Sequence, residues 1–387
     1  MSLSGEVPSP GNATLERLRF PLASCRGRRY PELSHRYRTE FQRDRDRIVH
    51  CRSFRRLEDK TQVFSDPRSD HFRTRLTHTL EVAQIARTVA STLHLDEEFT
   101  EALALAHDLG HPPYAHAGES ELHRQMQAFG DLFDHNFQAL RVVERIERRY
   151  AMFPGLNLTF ELREGIVKHS HDLVPGEHPF LDEYLPGLLP PLEAQLIDLA
   201  DEIAYNTADL DDARDADLIT WQQIRDSIPP FDRIARRVEQ QFAGASLREQ
   251  FVETLRALLD FLATGLIEGT RTAALEARVE SAEELRQYPV RLARYTPEAA
   301  DATVILKQFL RRHVYNAPEI LEARVRCEAE IRALFRYFLE HPEAISASFR
   351  EYHQDEPRHR LVCDYIAGMT DGFFQQTCRR VLGAGAS

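Results

Sequence analysis

Apolar residues recur at three- and four-residue intervals through nearly every patterned stretch of this chain, and strict alternation is scarce. That interval is the helical one, so the expected fold class is all-α. Leu76, Leu80, Val82, Ile85, Ala86, Val89 and Leu93 mark one helix. A second is expected over Glu97 to Leu109. Gly110 sits just past its end, and Pro112-Pro113 forbids its continuation. A third starts near Ala117. Others are expected over 134–150, 161–170, 192–210, 232–268, 298–313, 316–340 and 358–381. Phe153 to Thr159 and the Pro-rich Leu173 to Pro191 read as loops.

The 387 residues allow one large domain with appendages, or two domains. Cys25, Cys51, Cys327, Cys363 and Cys378 show no CxxC spacing, which favours a reducing cytoplasm over a disulfide framework. No apolar run is long enough to cross a membrane. Met1 to Asn12 reads as a loose polar tail without a signal peptide's apolar core. A net charge of −12 argues against a protein that coats nucleic acid. Residues 26–75 nevertheless hold 15 Lys/Arg against 8 Asp/Glu. Such a segment suits an anion, with phosphate the natural candidate. Alternatively its arginines pair with nearby carboxylates, as the run Arg43 to Arg47 allows. Arg56 and Arg75 stand apart because of where they fall.

The chemistry concentrates between His107 and Glu119, where three histidines and two carboxylates surround a helix stop. His78 lies upstream, on one face with Val82, Ile85 and Val89, and so points inward. A lone histidine there is ordinarily a core residue bonded to a carbonyl. His107 and Asp108 change that reading, because a site at the end of their helix can use both. Asp201 lies downstream on a stripe with Asp198, Tyr205 and Asp209, while Glu193, Gln195 and Glu202 supply polar positions elsewhere on that helix. His78, His107, Asp108 and Asp201 make a mixed nitrogen and oxygen set for one divalent ion. Mg, Mn, Fe, Co, Ni and Zn all remain open. From Asp201 to Asp209 the helix rises roughly 12 Å, the scale of a nucleotide's phosphate-to-sugar extent. His116 and Glu119, three apart at a helix start, make a general acid/base pair.

The pattern His78 … His107-Asp108 … Asp201 resembles that of the HD-domain metal-dependent phosphohydrolases. Longer stretches are similar to one branch, the bacterial deoxyguanosinetriphosphate triphosphohydrolase-like family. They are Phe54 to Phe64, His71 to His78, His107 to Glu119, Asp134 to Arg141, Ala200 to Thr207 and Cys363 to Asp371. The likeness is dense over 35–215 and sparse elsewhere. It implies a lead-in over 1–34, an HD-type helical core over 35–215, and additional C-terminal helices over 216–387 packing on that core. It also implies hydrolysis of a dNTP to deoxynucleoside and inorganic triphosphate, with attack at the α-phosphorus. By position, His78, His107, Asp108 and Asp201 match metal ligands. His116 and Glu119 match the catalytic pair, with His111 beside the phosphates. Arg75 and His135 match phosphate contacts. Gln62, Tyr205 and Asp209 match groups around the deoxyribose, Tyr205 leaving no space for a 2′-hydroxyl. The resemblance further implies a homo-oligomer, often a hexamer, and in some members an activating dNTP.

Ala208 stands where the family usually has His, and Ala213-Arg214 where a Gly is expected. Ala208 removes a polar side chain beside a sugar-contacting position. Base preference and activation are therefore the features in which this chain is expected to differ. Two other readings compete. One keeps the scaffold for a nucleotide phosphomonoesterase, a cyclic-nucleotide phosphodiesterase or a (p)ppGpp hydrolase. The other is a sensor of nucleotides or single-stranded nucleic acid, resting on the basic 26–75 segment.

Overall fold

A computed structural model describes residues 14–62 and 72–383. The expected N-terminal tail, and Val63, Phe64 and His71 of the matched stretches, lie outside the described residues. Among those described, the extended pairings are three isolated bridges, and the rest of the regular structure is helical.

The helices that build the molecule are α1 (Glu40–Val49), α2 (Arg75–Leu93), α3 (Glu97–Ala106), α4 (Ala115–Gln127), α5 (His135–Arg141), α6 (Phe160–Val167) and α7 (Leu192–Asp215). They are followed by α8 (Pro229–Gln241), α9 (Leu247–Ala277), α10 (Pro297–Leu310), α11 (Pro318–Glu340), α12 (Arg358–Ala367) and α13 (Asp371–Leu382). Local chemistry sets many of the starts. The Thr74 side chain accepts from Thr77 N, and Thr77 answers in a capping box. Asp96 caps α3 and Asp134 caps α5 in the same sense.

α2 packs against α3 and α7, and α1 against α3. Their apolar stripes join one core that runs from Leu15 to Val314. A second, smaller core joins Leu122 and Met126 of α4 to Ile331, Leu334, Phe335 and Phe338 of α11 and to α12 and α13. α4 is therefore the element shared between the first part of the chain and its C-terminal helices.

Several expectations need correction. The 232–268 helix is two helices, α8 and α9, separated at Phe242 to Ser246, where Ser246 opens a new capping box. The 358–381 helix is also two: it stops at Gly368, and Thr370 caps α13. The 134–150 helix ends α-helical form at Arg141, continues as a π turn through Ile146, and then bends. Leu80 is not a core residue; it is half-exposed. Glu193 and Gln195 are not a wet face either. Both are buried. Glu193 accepts from Phe20 N and Asp96 N, and Gln195 accepts from Leu292 N. Buried polar side chains satisfied by distant backbone leave no trace in local periodicity.

Most of the basic segment proves structural. Arg28 pairs with Glu40 and Asp44, Arg38 with Asp46, Arg45 with Glu101 and Arg47 with Glu32. Arg56 instead donates to Gly368 O, and Arg75 reaches Asp108.

Candidate metal and catalytic site

α2, the end of α3 and the middle of α7 bring His78, His107, Asp108 and Asp201 together. One ligand atom each from His78, His107 and Asp108 lies within 4.8 Å of the others, and all three residues are buried. His78 Nε2 is 2.8 Å from Asp201 Oδ1. His107 Nε2 is 3.4 Å from Asp108 Oδ1 and 3.9 Å from Asp201 Oδ1.

The donor set fits a metal ion. His107 Nδ1 lies 2.6 Å from Ala104 O, which places the ring proton there and leaves Nε2 as a bare lone pair. That Nε2 is buried without a hydrogen-bond partner. An orphaned buried nitrogen beside two carboxylates is costly unless a cation completes it. Burial keeps His107 below the ordinary imidazole range. Burial also works against charge on His78, but the adjoining Asp201 carboxylate outweighs it and raises the ring. Asp108 sits well below the usual carboxylate range. Burial opposes this, and Arg75, His107 and His111 override it.

Asp108 also connects this cluster to a second. Arg75 donates to Asp108 Oδ2 at 2.8 Å, and His111 Nε2 is 2.9 Å from Asp108 Oδ1. The His111 ring stacks on His135 with centroids 4.1 Å apart and planes 11° apart. His135 Nδ1 is 2.7 Å from Glu119 Oε1, whose other oxygen is 3.4 Å from His116 Nδ1. Burial opposes charge on Glu119, yet His116, His135 and His111 hold its carboxyl far below the ordinary range. His116 itself is 82% exposed in its side chain. Glu119 is held more closely by His135 than by His116.

Gly110 has a role different from the expected helix cap. It does not adopt positive φ. A Cβ there would fall 1.9 Å from His135 O and 2.3 Å from Ala139 N. Only glycine lets the end of the His107-Asp108 turn approach the start of α5 so closely. Tyr114 and Ala115, just before His116, take left-handed φ values of 60° and 51°. Such backbone is strained for residues with a side chain, and surrounding structure must hold it.

That holding comes from residues the sequence pattern did not single out. Asp371, at the start of α13, accepts from Tyr114 N at 3.2 Å and from Thr61 N at 2.9 Å. Lys60 is buried, donates to His111 O and Ala367 O, and is lowered by burial to about 7. Both lie within stretches quoted for the family likeness, which is the signal that was available. His169 was missed as well. Its ring centroid is 5.4 Å from that of His107, and its Nδ1 is 2.6 Å from Asp198 Oδ1.

The residues expected around a deoxyribose are more spread. Tyr205 and Asp209 follow Asp201 along α7, at one and two turns. Asp209 is buried and accepts from Tyr315 OH; burial raises its carboxyl to about 7. Gln62 is half-buried, with Oε1 unpartnered.

Two histidine and carboxylate clusters on this helical frame define an HD-domain hydrolase. The HD domain family matches residues 75–206, and the phosphohydrolase-associated domain matches residues 293–380. The chain is 41% identical over 361 residues to a deoxyguanosinetriphosphate triphosphohydrolase-like protein of Geobacter metallireducens, covering 93% of this chain and 92% of that one. A protein of the same description from Ralstonia nicotianae is 45% identical over 361 residues, covering 93% and 92%. Another, from Geobacter sulfurreducens, is 40% identical over 382 residues, covering 97% and 98%. The chain belongs to this deoxyguanosinetriphosphate triphosphohydrolase-like family. Among the described residues, no helix is long and apolar enough to cross a membrane.

Proposed function

We propose that this chain hydrolyses deoxynucleoside triphosphates to deoxynucleoside and inorganic triphosphate. The observation that carries the reading is the join between the clusters: Asp108 belongs to the metal-capable set and also contacts His111, which leads through His135 to Glu119 and His116. A reacting group beside the first cluster is thereby within reach of the second.

His78, His107, Asp108 and Asp201 would hold one divalent ion, of Mg, Mn, Fe, Co, Ni or Zn. When bound, it supplies a Lewis acid that polarises a phosphoryl oxygen. His116 moves a proton at the departing 5′-oxygen, and Glu119 orients it and stabilises its charged form. His111, Arg75 and His135 carry the phosphates. Gln62 and Asp209 bind the 3′-hydroxyl, and Tyr205 lies under the deoxyribose. Asp209, raised to about 7 by burial, is a hydrogen-bonding partner in either protonation state, donating as the acid or accepting as the carboxylate. We further read the working protein as a cytoplasmic homo-oligomer, with the hexamer as the form the family likeness implies, open to an activating dNTP or to single-stranded DNA.

The test is product analysis on metal-loaded protein, with each dNTP alone and then in pairs. Triphosphate and deoxynucleoside are the expected products, and stimulation in a pair reveals activation. Release of monophosphate or diphosphate alone overturns the reading.

A further inference from the structure

A cleft of about 790 Å³ opens directly off the catalytic pair. His116, Glu119, His123 and Gln127 share one face of α4 and form its wall. From His116 to Gln127 that wall runs roughly 16 Å. The opposite side carries Phe137 and Phe180, with ring centroids 4.7 Å apart. Phe180 is half-exposed on the cleft's lining, with the His178 ring stacked beside it at a centroid distance of 5.7 Å.

The position of the cleft matters. Along α7 the order is Asp198, Asp201, Tyr205 and Asp209. His169 rests on Asp198, and the chain passes from there to His171, which lines the cleft. The cleft and the sugar contacts therefore lie toward opposite ends of α7 from Asp201. If the deoxyribose lies over Tyr205, the cleft receives whatever is attached on the far side of the reacting phosphorus.

A triphosphate tail does not account for this lining. Such a tail calls for fixed cations, whereas the cleft's one arginine, Arg124, is already paired with Glu121 and its other basic groups are histidines. Asp134, Asp172 and Glu177 line the cleft too. Phenylalanine faces instead suit a flat aromatic ring.

We propose that the cleft is a subsite for a nucleobase, and that the site also cleaves the 3′-terminal linkage of short single-stranded DNA. The inference rests on the proposed substrate orientation. In this substrate the 3′-oxygen of a preceding nucleotide replaces the pyrophosphoryl group. The bond broken is the same. Water oxygen bonds to phosphorus, the bond from phosphorus to O5′ breaks, and O5′ takes a proton as the terminal deoxynucleoside leaves. Water surrenders its proton, and the preceding nucleotide retains the phosphate as a 3′-monoester. Carboxylates outnumber the single arginine along the cleft, which suits one base and one linkage rather than a long polyanion.

The experiment uses full-length protein loaded with Mn²⁺, the dinucleotide d(ApT) and, in parallel, each dNTP. The expected products from d(ApT) are thymidine and deoxyadenosine 3′-phosphate. Phe180→Ala is expected to lower kcat/KM for d(ApT) about tenfold, as loss of a stacking partner does. Triphosphate release from dNTP should stay within about twofold. Intact d(ApT) beside active dNTP hydrolysis overturns the proposal, and so does an equal effect of Phe180→Ala on both substrates. A changed oligomeric state with an unchanged ratio of the two activities also overturns it, assigning the face to contact between copies. If neither substrate reacts, the proposed function has failed separately. Calorimetric titration of d(ApT) then decides: no binding, or binding indifferent to Phe180→Ala, overturns the subsite.

Discussion

His78, His107 and Asp108 are buried and supported by three packed helices, α2, α3 and α7. His111, Glu119 and His135 offer the same kinds of group in an equally tight cluster, but Glu119 and His135 are only partly buried, and the cluster is held differently. Its supports are a glycine at a close approach, two left-handed residues where α4 begins, and side chains arriving from the C-terminal helices. α11 packs along α4, and Arg332 on it pairs with Glu121. The first cluster is thus a product of the main core. The second depends on the C-terminal helices for its geometry, which gives the phosphohydrolase-associated region a physical reason to accompany the HD region.

The largest separation of the clusters is expected from two substitutions compared side by side. His107→Ala removes the nitrogen whose lone pair is orphaned. Bound metal, measured by elemental analysis, should fall to background, and hydrolysis should drop by roughly a thousandfold or more. Glu119→Gln keeps the shape of the second cluster but removes its charge. Metal content should stay unchanged while kcat falls by about 10²- to 10⁴-fold. Loss of metal in Glu119→Gln would break the comparison, because the clusters would then behave as one.

A smaller effect is expected at Asp371, which accepts from Thr61 N and Tyr114 N rather than from His78, His107, Asp108 or Asp201. Asp371→Ala leaves Thr61 N and Tyr114 N without their acceptor, at a cost of about 1–3 kcal/mol in unfolding free energy. Relaxation of the left-handed turn before His116 should lower kcat by about tenfold with metal content intact. Asp371→Asn retains one acceptor oxygen and should recover part of the loss. If both variants lose metal instead, the C-terminal helices support the first cluster as well.

The two clusters were unequally legible. The helices of the first follow from periodicity, and His78 and His107-Asp108 stand out because inward-facing polar residues interrupt apolar stripes. The second cluster is legible as residue types, but its geometry rests on Tyr114 and Ala115 in conformations no propensity favours and on Asp371 from more than 200 residues away. Gly110 invited a cap reading because it follows a helix; only the backbone of α5 shows why a side chain cannot fit. The helix breaks at Phe242 to Ser246 and Gly368 to Thr370 were hidden because apolar spacing continues on both sides. Short polar caps, rather than a change of period, end those helices.

Glu193 sharpens the comparison from outside, since it belongs to neither cluster. It is fully buried where α7 begins, and it accepts from Phe20 N at 2.9 Å and Asp96 N at 3.2 Å. Burial raises its carboxyl to about 7, with the two backbone donors only partly opposing this. The folded protein therefore holds a proton there that the unfolded chain releases near its ordinary pKa of about 4.3. By linkage, the stability conferred by the neutral carboxyl is complete below about pH 4 and is lost as pH rises through about 7. Glu193→Gln keeps both accepted hydrogen bonds and cannot ionise. Its unfolding free energy should gain on the wild type across that window, by about 3–4 kcal/mol at most above pH 7. Denaturant titrations of both proteins at pH 5 and pH 8 measure the difference, with kcat and metal content expected to remain unchanged. A gap that narrows with rising pH would mean that Glu193 folds ionised, and that the main core carries a buried charge where its packing indicates a neutral acid.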